Sequence, residues 1–81
     1  MPEVTYGQLD RVLRALGFSI REREDRARVY RHEPTGAVVA LPLFADDETV
    51  IAGHLVGVRM TLDAFGIADP TQFAKDLQKA S

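Results

Sequence analysis

Apolar residues recur along this chain at two different periods. Leu9, Val12, Leu13 and Leu16 are spaced by three and four, which aligns them on one stripe of a helix. Thr5 followed three residues later by Gln8 fits a capping box, and Gly17 fits a helix stop, so a helix is predicted from Tyr6 to Leu16. From Phe18 the period becomes two. Phe18 and Ile20 alternate with Ser19 and Arg21, and after a polar connection near Asp25, Ala27 and Val29 alternate with Arg26, Arg28, Tyr30 and His32. Glu33-Pro34-Thr35-Gly36 has the proline and glycine of a hairpin turn. The apolar run from Ala37 to Phe44 is short enough for a third strand, with Pro42 marking the end of its pairing. Leu55, Val58, Leu62 and Phe65 return to helical spacing and Gly66 closes that helix. Asp69 as N-cap and Pro70 at the first helical position open a last short helix through Phe73 and Leu77.

This order predicts an α+β fold, α-β-β-β-α-α, in one domain spanning residues 1–81, with a three-stranded antiparallel meander packed on helices. Phe18, Ile20, Ala27, Val29, Val39 and Leu41 are assigned to the buried sheet face. Arg21, Arg23, Arg26, Arg28, Tyr30 and His32 then share the face in water, the most distinctive chemistry in the sequence. The acidic run Asp46-Asp47-Glu48 precedes the second helix, where its charge would favour the positive end of the dipole.

Composition narrows the function. A net charge of −2 and a pI near 5.6 argue against strong nonspecific nucleic-acid binding, although eight of the ten basic residues are arginine. With no cysteine, there is neither a disulfide framework nor a thiolate metal site, which fits a reducing cytoplasm. The first residues lack the basic and apolar regions of a signal peptide, and no apolar run approaches the roughly 20 residues of a membrane helix. Two histidines among scattered carboxylates predict no metal site and no cofactor.

The chain resembles the HicA toxins of bacterial toxin–antitoxin pairs. The matching stretches are Thr5-Tyr6, Leu16-Gly17-Phe18, Val29-Tyr30-Arg31-His32, Gly36 with Val39, Leu41 and Pro42, Leu62 through Gly66-Ile67, and Phe73. The resemblance covers nearly the whole chain. It implies a fold similar to double-stranded-RNA-binding domains, mRNA cleavage by a histidine, and a HicB antitoxin partner covering the site. The segment that would carry that histidine reads Asp25-Arg26-Ala27, and Ala27 stands in its place. Alanine cannot move a proton, so the resemblance implies weak or absent ribonuclease activity here.

Two function classes follow. In the first, the chain is a HicA-like component that binds RNA, arginines holding phosphate and Tyr30 stacking a base. His32 or, from the second helix, His54 would substitute as acid–base group. In the second, the chain is a noncatalytic module that keeps the fold and recognises a protein. Each residue also has a plainer account. His32 would be an exposed strand-end residue at a turn and His54 a helix-start polar contact. The arginines would form a solvated face paired with Glu22, Glu24, Asp25 and Glu33, and the acidic run would serve only the helix dipole.

Overall fold

The computed structural model describes residues 4–22, 27–42 and 45–80. The order is α1 (Tyr6–Ala15), β1 (Phe18–Glu22), β2 (Ala27–His32), β3 (Ala37–Pro42), α2 (Ala52–Ala64) and α3 (Pro70–Lys79). The α+β class and the element order match those expected from the pattern. The connection near Asp25 lies outside the described residues, as do Leu43 and Phe44 of the expected third strand.

Local chemistry sets the helix ends. The Gln8 N–H donates to Thr5 Oγ1 at 3.2 Å, and the Thr5 N–H donates to Gln8 Oε1 at 2.9 Å, completing the box at α1. Gly17 ends the α1 turn with φ of 100°, a backbone region that glycine enters without steric cost. Asp69 caps α3 by accepting from the Gln72 N–H at 2.8 Å, with Pro70 in the first turn. At its other end α3 is capped from α1: Gln8 Nε2 donates to the Leu77 carbonyl at 3.3 Å and Arg11 donates to that of Ala80 at 2.7 Å.

The three strands form an antiparallel sheet in the order β1-β2-β3. The four-residue turn 33–36 links β2 to β3, closed by the Gly36 N–H donating to the His32 carbonyl at 2.8 Å. The register pairs Phe18 with His32 and Ile20 with Tyr30 across β1–β2, and Tyr30 with Val39 and Arg28 with Leu41 across β2–β3. Directly paired residues share a face. Phe18, Ile20, Val39 and Leu41 therefore face the helices together with Arg28, Tyr30 and His32. The expected assignment of β2 is reversed: Ala27 and Val29 lie with Ser19, Arg31 and Val38 on the opposite face, and Tyr30, at 1% exposure, is in the core. The core joins Tyr6, Leu9, Val12 and Leu13 of α1 to Phe18, Tyr30, Val39 and Leu41 of the sheet, with Val58, Leu62, Phe73 and Leu77 from the other helices.

The acidic run also serves a different helix from the one expected. α2 begins at Ala52 behind Ile51, with no side-chain cap and no acidic residue in its first turn. The Asp46 and Glu48 carbonyls instead accept from the Gly7 and Tyr6 N–H groups at 2.9 and 3.0 Å, satisfying the start of α1, while Thr5 bridges to Thr49. Gly7 permits this approach, because a β-carbon there would lie 3.0 Å from the Asp46 oxygen and 3.1 Å from its β-carbon. Gly7→Val is therefore expected to lower stability by about 1–3 kcal/mol in urea unfolding, through forced separation of the loop from α1. An unchanged midpoint would show that the loop yields freely.

Candidate functional site

The sheet register positions the candidate side chains of β2. Tyr30 stands at the middle of the central strand and points at α1. Its hydroxyl donates to Asp10 Oδ1 at 2.6 Å, the length of a charge-assisted bond. Asp10 also pairs with Arg14 one turn further along α1, Nε to Oδ2 at 3.0 Å, and with Arg28 two residues along β2, at 3.7 Å. One carboxylate thus gathers a phenol and two guanidinium groups at the seam of helix and sheet. Arg28 is largely enclosed, and its Nε finds no hydrogen-bond partner among the described residues.

The electrostatics fit a closed structural cluster. Burial raises the Tyr30 pKa to about 12, the bond to Asp10 adds to the rise, and Arg28 opposes it. The phenol accordingly stays neutral across the physiological range and acts as a donor. Arg28 is raised above its ordinary value chiefly by the Tyr30 oxygen beside it, with Asp10 and Asp46 adding to the effect and burial opposing it.

The two histidines occupy separate contacts. His32 is buried with its ring against Phe18, centroids 5.1 Å apart, and Nδ1 lies 2.8 Å from Thr35 Oγ1. The same Thr35 oxygen accepts from the Ala37 N–H at 3.2 Å, so His32 and Thr35 together brace the hairpin. A β-carbon on Gly17 would sit 3.5 Å from the His32 ring, which places that ring over the α1–β1 turn. His54, in the first turn of α2, lies with Nδ1 3.0 Å from the Tyr6 hydroxyl. That hydroxyl also accepts from the Ile51 N–H at 3.4 Å. His54 therefore ties the start of α2 to the start of α1, the helix-start contact that its plainer account describes.

The expected six-residue face does not assemble in solvent. Tyr30 and His32 are inside, and Arg28 is held at the cluster. Arg21 pairs by backbone register with Val29, and Arg23 and Arg26 lie outside the described residues. The exposed arginine of β2 is Arg31, on the opposite face and 3.7 Å from Glu33. Ala27, at the position where the resemblance implies a histidine, pairs with Pro42 at the far end of β2 from His32. Among the described residues no three His, Asp or Glu side chains converge as metal ligands.

Asp10 and Arg14 were not singled out from the sequence. A signal was present: Asp10 adjoins the apolar stripe of α1, next to Leu9 and one turn from Tyr6 and Leu13, with Arg14 following at i+4. A carboxylate at the border of a buried stripe needs a donor from the element packed against it. Compared with known proteins, the chain matches no protein-family model, no curated protein and no solved structure.

The raised Tyr30 pKa fixes a pH dependence. The folded state favours the neutral phenol, so this contribution is full below the ordinary value of 10.0 and is lost as pH rises toward about 12. A fall of about 2–3 kcal/mol in unfolding free energy is expected across that window, and Tyr30→Phe should remove it. Parallel alkaline curves for parent and variant would contradict the buried phenol. Separately, Asp10→Leu is expected to cost about 3 kcal/mol or more in urea unfolding, because it strands the Tyr30 hydroxyl and the Arg28 charge.

Proposed function

We propose that this chain is a noncatalytic protein-interaction module of HicA-like fold. The observation that carries the reading is the distribution of side chains between core and surface. Groups suited to RNA chemistry are engaged within the fold: Tyr30 by Asp10, His32 by Thr35 and Phe18, and His54 by Tyr6. Large apolar side chains are on the outside instead. Ile51, Val56, Met60 and Phe65 of α2 and its ends are 41–62% exposed, and Val38 of β3 is 52% exposed. Val56 and Met60, one turn apart, share one side of α2, and a contiguous exposed apolar patch marks a surface that another protein covers.

The element order and the antiparallel meander agree with what the resemblance implies, and Ala27 agrees with a chain that has given up cleavage. A HicB-like antitoxin is the partner class that the resemblance implies. No helix among the described residues is long and apolar enough to cross a membrane. The RNA-binding reading rests on Arg21 and Arg31 with Arg23 and Arg26, and no longer on an exposed tyrosine ring.

Titration of the purified chain against labelled single- and double-stranded RNA tests the proposal. Intact RNA and, at most, weak binding that disappears with moderate salt are expected, with Tyr30→Phe indistinguishable from the parent. Cleavage that vanishes in His32→Ala or His54→Ala, or salt-resistant binding, would sink the noncatalytic reading.

A further inference from the structure

Two features on one side of the molecule have no partner among the described residues. The first is the outer edge of β3. This strand ends the sheet, and among the described residues no strand pairs with its far side. Ala37–Pro42 carries no charge, and its one proline comes last. Edge strands are ordinarily protected by charged residues, bulges, proline or a covering element. β1, at the other edge, includes Arg21 and Glu22.

The second feature is a pair of glycines in α2. Gly53 and Gly57 lie one turn apart inside the helix, where glycine is less stable than alanine. A β-carbon at either position would meet nothing within 4 Å. No neighbour among the described residues requires these glycines. Both line an open groove of about 240 Å³, with Thr61 and His54 on the helix side, Val38 to Leu41 on the strand side and Val58 between. The glycine row and the open strand edge are thus two walls of one surface.

We propose that this surface binds a second copy of the chain, β3 running antiparallel to β3 and α2 lying beside α2 across a two-fold axis. This rests on the interaction-module reading and names the partner. Two-fold pairing requires a surface complementary to itself, and an uncharged strand edge meets that requirement with no like charges opposed. Edge pairing sets the two β3 strands about 4.8 Å apart. α2 packs against β3 in each copy. Packed helix axes normally stay about 8–10 Å apart, held off by their side chains. Helices carried on adjacent strands are brought nearer than that, and a helix face without β-carbons accepts the approach. A lone strand added from another protein would pair with β3 at the level of the sheet and leave Gly53 and Gly57 unexplained. Val56 and Met60, exposed beside the glycine row, gain cover in the same assembly.

Sedimentation equilibrium of the full chain, from micromolar to near-millimolar concentration, is expected to show a reversible monomer–dimer equilibrium. The Gly53→Leu, Gly57→Leu double variant fills the row with better helix formers in open space. It should keep or raise its thermal midpoint as a dilute monomer and lose the dimer. Val38→Lys, at an exposed edge position, should also abolish the dimer with the circular dichroism spectrum unchanged. A parent that sediments as a monomer throughout overturns the proposal, and so does a dimer that survives both variants. Neither result bears on the RNA titration, which judges the noncatalytic reading by itself.

Discussion

The hydrogen bond from the Tyr30 phenol to the Asp10 carboxylate is the constraint around which this structure is arranged. It joins the centre of the middle strand to the middle of α1, at 2.6 Å, with the Tyr30 ring buried and the Asp10 carboxylate at the border of the core. A buried phenol needs a partner, and a carboxylate at the border of a core needs donors. Each meets the other's requirement, and Arg14 and Arg28 balance the remaining charge. Once Tyr30 faces inward, the strand period of two sends Arg28 and His32 inward with it and Val29 and Arg31 outward.

That single choice of face decides what chemistry reaches the surface. The aromatic ring and imidazole that would stack on or cleave a nucleic acid become parts of the scaffold. His32 steadies a hairpin and His54 joins two helix starts, both through ring nitrogens already bonded within the chain. What remains outside is an uncharged strand edge and a helix that buries only Val58 and Leu62 fully while exposing Val56 and Met60. The polar cluster holds the fold together, and the apolar surface is where the molecule has unmet packing.

The elements whose causes are local were legible in the sequence. The Thr5–Gln8 box, the glycines at 17, 36 and 66 with positive φ, and the Asp69-Pro70 start all appear where the residues predicted them. Each depends on a few neighbouring atoms. The acidic run misled because its carbonyl groups, not the charge of its side chains, meet a helix start, and that helix is far away in sequence. Asp10 was overlooked for a similar reason, since its partners Tyr30 and Arg28 lie on another element.

The sequence by itself determined the order of helices and strands, the ends that carry a local cap or glycine stop, and that β2 has two unlike faces. It could not say which face is inside, because Ala27 and Val29 on one side compete with Tyr30, a large and mostly apolar side chain, on the other. Only the tertiary structure decided, through the register that pairs Ile20 with Tyr30 and Tyr30 with Val39. The physical reason is that burial is a property of the assembled sheet. Moving the pairing by one residue exchanges every inward side chain for an outward one, and hydrogen bonding across strands fixes that choice together with packing against α1.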